Sequence, residues 1–349
     1  MAYISFQPND YFNTKLWTGT DATHAITGVG FEPDLVWIKG RTTAYNHVLN
    51  DQVRGVNKEL RTSGTNAEIT QSDSFTSFDS DGFTLGADSS DQYNNTSNNY
   101  VGWSWRASGT SGSANTDGSI NTTATSVNTT SGFSISTYTG TGSNATVGHG
   151  LGVAPKCFIL KKTSDTSAWS MYHESVGNTK FLTLNGTGAA TTGATVWNNT
   201  SPTSSVFSVG TGDNGNASGA TYVAYCFAEK TGFSKFSSFV GNGNADGTFV
   251  YTGFKPAFII VKASSISGNE WNMWDNKRNP SNVADKVLWS NTSNTEAEIA
   301  YDYDIDMLSN GFKARTANAR LNQNGATYIF MAFAESPLVS SNGVPAVAR

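Results

Sequence analysis

Four histidines, two cysteines and a few clustered carboxylates are the residues of this 349-residue chain with chemistry to offer. Their spacing speaks against most of it. His24, His47, His149 and His173 form no HxH or HxxxH pair, and there is no CxxC, so the donor pattern of a zinc site is missing. Serine is abundant, but no GxSxG elbow marks a nucleophile beside its base. Gly140-Thr141-Gly142 and Gly241-Asn242-Gly243 lack the Lys-Ser/Thr of a phosphate loop and read as hairpin turns. Asp79-Ser80-Asp81-Gly82 and Asp302-Tyr303-Asp304-Ile305-Asp306 gather oxygen ligands of the calcium kind without the twelve-residue loop and its closing Glu. Alternation puts the second group's aspartates on one strand face, where solvent exposure accounts for them. No metal, cofactor or catalytic residue is expected.

The aromatic residues offer more. Trp169, Tyr172, Trp271 and Trp274 alternate with polar residues at matching places in the chain, with His173 next to Tyr172. Such rings can serve as flat apolar platforms for sugars, or as core. With Tyr93, in the loop from Gln92 to Asn99, they are the candidate ligand-binding residues. Loops held by a rigid scaffold are the other expected contact points: 92–99, 213–219 and 269–285.

What must position these residues is a repeat. Gly30-Phe31-Glu32-Pro33-Asp34-Leu35-Val36-Trp37-Ile38-Lys39 returns as Gly152 to Lys161 and as Gly253 to Lys262, with Gly, Pro and Lys in one register. Downstream, Tyr100-Val101-Gly102-Trp103-Ser104-Trp105 is echoed by Tyr222 to Phe227 and Tyr328 to Phe333. The apolar runs are short and β-rich and begin after a proline, which fits a strand's first residue. Alternation in Tyr222 to Phe227 sends Val223, Tyr225 and Phe227 to one face and Tyr222, Ala224 and Cys226 to the other, as in a sheet packed between two layers. Helical patterns are scarce, and Thr295 to Ala300 could make a turn or two.

The fold expected is therefore all-β: three tandem β-sandwiches of jelly-roll or lectin-like type, with six to eight strands each. Residues 1–107 form the first unit, 132–231 the second, and 232–349 the third with a C-terminal tail draped on a neighbour. The stretch 108–131, almost wholly Gly, Ser, Thr, Asn and Ala, reads as a linker. Three like units suit a pseudo-threefold axis within one chain, or a homo-oligomer, with a trimer first among the options. Cys157 and Cys226 lie inside apolar strands and read as buried free thiols.

Composition narrows the function classes. Charged residues make up 14% and aromatics 12%, and the net charge is −5, so nucleic acid is not an expected partner. The start, Met1 to Phe6, lacks a signal-peptide pattern, and no apolar run is long enough for a membrane span. A soluble protein made in the cytoplasm is expected.

The segments Phe12 to Thr20, Ile26 to Lys39 and Asp51-Gln52-Val53-Arg54-Gly55 resemble a family of tail-fibre and virion structural proteins of marine bacteriophages. Tyr222 to Ala228, Val250 to Pro256 and Phe330 to Glu335 look like the same family's later units. The resemblance implies a non-enzymatic virion component, made in the host cytoplasm. Its partners would be other virion proteins and a host-surface polysaccharide or protein, which makes a tail fibre or receptor-binding part the first expectation. A capsid decoration or tail-assembly protein is the second and a polysaccharide-degrading tailspike the third.

Overall fold

The short apolar runs become strands, and they are arranged three times over. The computed structural model describes residues 7–298 and 302–337. The expected drape of the tail, 338–349, falls outside the described residues. Strand makes up 42% of the molecule and helix 3%, an all-β fold.

The first repeat contributes β1 (Phe12–Thr18), β2 (His24–Thr27), β3 (Leu35–Gly40), β4 (Val48–Asp51), β5 (Lys58–Arg61), β6 (Ile69–Thr70), β7 (Phe75–Asp79), β8 (Gly82–Leu85) and β9 (Asn99–Trp105). The second has β10 (Ala124–Asn128), β11 (Phe133–Thr139), β12 (Ala145–Gly148), β13 (Cys157–Lys162), β14 (Ser170–His173), β15 (Lys180–Thr183), β16 (Thr191–Thr192), β17 (Val206–Val209) and β18 (Thr221–Phe227). The third has β19 (Ser234–Val240), β20 (Phe249–Tyr251), β21 (Phe254–Ala263), β22 (Asn272–Asp275), β23 (Lys286–Trp289), β24 (Ala297–Glu298), β25 (Ile305–Leu308), β26 (Gly311–Ala314) and β27 (Thr327–Pro337).

Each main sheet has one strand order. It runs β1-β9-β3-β4-β5-β6 in the first repeat and β19-β27-β21-β22-β23-β24 in the third. The second follows it as β11-β18-β13-β14-β15-β16, with β10 added outside β11. A small sheet lies against each: β2-β8-β7, β12-β17 and β20-β26-β25.

Alternation decides what each main sheet buries. The outer face of the first sheet, with Val36, Ile38 and Tyr100, packs on Ile26 and Phe83 of its small sheet. Val223, Tyr225 and Phe227 turn the opposite way from Tyr222, Ala224 and Cys226, as the pattern predicts. The inner faces of all three sheets share one cluster, in which Leu35 and Trp37 meet Cys157 and Ile159, and Phe258 and Ile260. Large apolar side chains fully buried from three directions are the main stabilising term, roughly 1.5–3 kcal/mol for each. Cys157 and Cys226 are both buried free thiols.

Polar bonds between repeats recur at matching positions. The backbone N–H of Glu68 donates to Thr163 O at 2.9 Å, Ala190 to Ser264 O at 2.9 Å, and Glu296 to Arg41 O at 2.8 Å. Three buried lysines close the same junctions. Lys161 Nζ reaches Thr65 O at 3.1 Å, Lys262 Nζ reaches Thr187 O at 3.3 Å, and Lys39 Nζ reaches Ser293 O at 3.2 Å. The second repeat thus bonds to the first, the third to the second and the first to the third.

Some expectations change. The stretch 108–131 is no featureless linker: it contains β10, Ser113 bridges Thr125, and Ile120 pairs in parallel with Val147 beside β12. Asp34 holds its start, accepting from the backbone of Ala107 at 2.6 Å and Gly109 at 3.0 Å and from Ser126 Oγ at 3.0 Å. Gly140-Thr141-Gly142 and Gly241-Asn242-Gly243 are not hairpin turns. They carry the chain from a main sheet to its small sheet, and Cβ atoms on Gly140 and Gly241 would lie 2.4 and 2.3 Å from backbone oxygens, which is why glycine stands there. The stretch from Thr295 holds strand β24 where a helical turn was expected, because Glu296 is drawn along the neighbouring repeat.

Candidate functional site

The predicted ligand platforms are core residues. Trp169, Tyr172, His173, Trp271, Trp274 and Tyr93 are all at most 4% exposed, so none offers a ring face to a ligand. Trp169 and Trp271 serve the junctions, their Nε1 donating to Arg61 O at 2.9 Å and Thr183 O at 3.0 Å of the preceding repeat. Tyr172 and Trp274 face the outer cores of the second and third repeats. Tyr93 Oη donates to Asn50 Oδ1 at 2.8 Å and Glu59 Oε2 at 3.1 Å. The correction is one of depth: alternation gives the face but not what covers it. Aromatic rings open to solvent occur elsewhere, as Phe249 and Tyr251 on β20.

Two of the loops expected to meet partners are tied to their own scaffold. Asn94 and Asn216 are fully buried, and Asn322 holds the same place in the third repeat. Asn216 Nδ2 donates to the carbonyls of Ser143 and Gly210 while its Oδ1 accepts from Thr141 N. Six residues on, Tyr100, Tyr222 and Tyr328 each donate to the carbonyl nine residues back and accept from the amide five residues back. This Asn-x5-Tyr spacing stands in the sequence three times. The third loop, 269–285, is largely buried. Neither aspartate group gathers metal ligands among the described residues. Asp81 instead accepts from the amides of Gly28 and Gly30, and Asp302 from Asn318 and Arg320.

The register also places the histidines. His47 shares its place with Trp169 and Trp271, each just before the strand opposite β3, β13 or β21, whereas His173 matches Asp51 and Asp275. These three form the corners where repeats meet. Asp51 accepts from Tyr225 Oη of the second repeat at 2.6 Å and from Arg54 Nε at 2.6 Å. Asp275 accepts from Trp103 Nε1 of the first repeat at 3.1 Å and from Arg278 Nε at 2.5 Å. At the remaining corner Met331 replaces the donor and Val176 the arginine, and His173 Nε2 lies 3.2 Å from Phe330 O. Burial pushes His173 down to about 4, so it is neutral and its N–H donates there.

Between the first and second repeats this geometry leaves a cleft of about 210 Å³. One wall is Val53, Arg54 and Glu68; the other carries Thr137 on β11, Thr163 just after β13, Thr221 on β18, and Thr123. Thr137 and Thr221 continue the inward faces of Ile135 and Val223, at the end where the sheet runs out of apolar core. Arg54 is held by Asp51, by Glu68 Oε2 at 3.2 Å, by Leu49 O at 3.2 Å and by Tyr225 Oη at 3.4 Å. Burial alone would lower its pKa, but Asp51, Tyr225 and Glu68 more than offset that and raise it. Lys58 also pairs with Glu68 at 3.3 Å.

The matching place between the third and first repeats carries larger side chains. There Arg41 stands for Thr163 and Leu16 for Thr137, and Arg41 bonds Glu296 at 2.8 Å beside Arg278. None of these cleft residues was singled out from the sequence as a ligand contact. The signal available was Asp-x-x-Arg, present at 51–54 and 275–278 but not at 173–176.

One family model spans residues 7–337, that of a domain of unknown function, DUF7483. The chain belongs to the DUF7483 family. The match runs through all three repeats of this DUF7483 chain, so the family is defined by the triplicated body and not by one unit of it. No curated protein and no solved structure matches the DUF7483 chain.

Proposed function

We propose that this DUF7483 protein is a non-enzymatic structural component of a bacteriophage particle, a tail-fibre or receptor-binding part that contacts the host surface. The observation that carries the reading is the closure of three repeats on one another: matched backbone bonds and buried lysines at every junction make a stiff β body, suited to bearing load and presenting a surface. The resemblance of Phe12 to Lys39 and its later echoes to phage virion proteins supports the same reading. Its partners are then neighbouring virion proteins and a host polysaccharide or protein.

Gold-labelled antibody on intact particles tests it. Label at a distal tip, with adsorption blocked, is the expected result. Label spread over the capsid would favour a decoration protein instead, and absence from purified particles would end the virion reading.

A further inference from the structure

We infer that the cleft between the first and second repeats binds one residue of a neutral saccharide. The inference gives the attachment reading a ligand class and a place, and takes its biological meaning from that reading. It begins with a difference between two of the junctions. The repeats share strand order and junction bonds, yet the positions held by Arg41 and Leu16 between the third and first repeats are held by the smaller Thr163 and Thr137 between the first and second, where the cleft lies.

The lining is chemically particular. Four threonines, Thr123, Thr137, Thr163 and Thr221, bring hydroxyl groups that can donate or accept, and Thr163 Oγ1 already bonds Thr221 Oγ1 at 2.7 Å. Arg54, with its side chain only 3% exposed, lines the opposite wall. A guanidinium has five N–H groups. Four have acceptors: Asp51 on Nε, Glu68 on Nη1, and Leu49 O and Tyr225 Oη on Nη2. In the counterpart Arg278, Nη1 bonds both Glu296 and Lys286 O. The carbonyl of Lys58, which corresponds to that of Lys286, accepts from Asn50 Nδ2 instead, and the second N–H of Arg54 Nη1 has no acceptor among the described residues. A buried donor of this kind favours a ligand oxygen.

Charge sets the class. Arg54 and Lys58 are balanced by the buried Asp51 and by Glu68, so an anionic ligand meets the Glu68 carboxylate in the lining and a cationic one a buried guanidinium. A neutral molecule with several hydroxyl groups suffers neither repulsion, and the cleft is sized for a single ring.

The test uses the full chain and a panel of free glucose, galactose, mannose, fucose, N-acetylglucosamine, N-acetylgalactosamine and glucuronic acid, read by saturation-transfer NMR and calorimetry. At least one neutral sugar should bind, and glucuronic acid should not. Thr163→Arg, which copies Arg41 of the third-to-first junction, should weaken binding by at least about tenfold with the melting temperature unchanged or raised. Thr137→Leu, which copies Leu16, is the second variant should the first misfold. The inference is overturned if no neutral sugar binds, if glucuronic acid binds best, or if both variants bind like the parent. Distal labelling of particles without sugar binding would remove this inference and leave the attachment reading; sugar binding with capsid-wide labelling would do the reverse.

Discussion

At the scale of single residues, the polar side chains do positional work that no apolar residue could replace. Asn216 is the clearest: fully buried, it satisfies two carbonyls and one amide of a corner that has no ladder partner. Asn216→Ala should destabilise the protein by roughly 2–4 kcal/mol, since several buried groups lose their partners at once; a urea titration showing less than about 1 kcal/mol would refute that role. Asp34 makes a pH-dependent case. Burial raises it from 3.8 to about 6 despite bonds from Ala107, Gly109 and Ser126. The folded state therefore holds a proton that the unfolded chain releases, and stability is present below about pH 4 and falls as pH rises through 6. Asp34→Asn should remove that loss, up to about 3 kcal/mol between pH 4 and 7. Parallel melting curves of parent and variant across that range would show no crossing if the assignment is wrong.

At the scale of elements, the strands of a main sheet keep one order across the repeats, while each corner carries its own set of side chains. Two corners carry Asp, Arg and an aromatic donor: Asp51, Arg54 and Tyr225, or Asp275, Arg278 and Trp103. The third carries His173, Val176 and Met331. A carboxylate alone in that third corner would be buried beside the Phe330 carbonyl, so His173→Asp should cost about 3–5 kcal/mol. Adding Val176→Arg and Met331→Tyr should return more than about 1 kcal/mol beyond additivity, as residues in one network do; strict additivity in a thermodynamic cycle would show that the sets are not matched.

Much of this scale was legible in the sequence. The Gly-Pro-Lys register located β3, β13 and β21, and alternation in Tyr222 to Phe227 gave both faces of β18. The candidate site was not legible. Trp169 and Trp271 look like surface platforms because their polar neighbours alternate, and only the meeting of a second repeat buries them. The cleft depends on Thr163 lying where its counterpart is Arg41, a difference that carries meaning only once Glu68 and Glu296 are known to lie across those junctions. Linker composition misled for the reverse reason: a Ser-, Thr- and Gly-rich stretch with few apolar residues can still pair at a sheet edge and be buried there, as β10 and Ile120 are.

At the scale of the whole molecule, each of the three junctions holds a lysine whose proton affinity burial lowers. Burial lowers Lys39 from 10.5 to about 7, with Arg278 adding to the effect, and lowers Lys161 and Lys262 to about 8. Between those values and 10.5 the unfolded chain binds more protons than the folded one, so unfolding becomes harder as pH rises, each lysine adding up to about 1.4 kcal/mol per pH unit. A neutral amine still donates to Thr65, Thr187 or Ser293 and no longer carries a buried charge. The opposite slope sets in from about pH 9, where the unfolded chain begins to lose thiol protons that burial keeps on Cys157 and Cys226 in the folded one, and it steepens above pH 10. Burial holds Tyr93, Tyr138 and Tyr225 well above their ordinary value, so the unfolded chain loses phenolic protons that the folded one keeps. Stability contributed by the tyrosines is then lost as pH climbs further. The protein should be most stable near pH 9–10 rather than at neutrality, and Lys161→Met should flatten the rise between pH 8 and 9 by about one third. Melting temperatures measured in one buffer series from pH 6 to 11 decide it: a maximum at or below pH 7 would mean that the three ammonium groups keep their ordinary proton affinity in the folded state, and that the junctions are wetter than their burial implies.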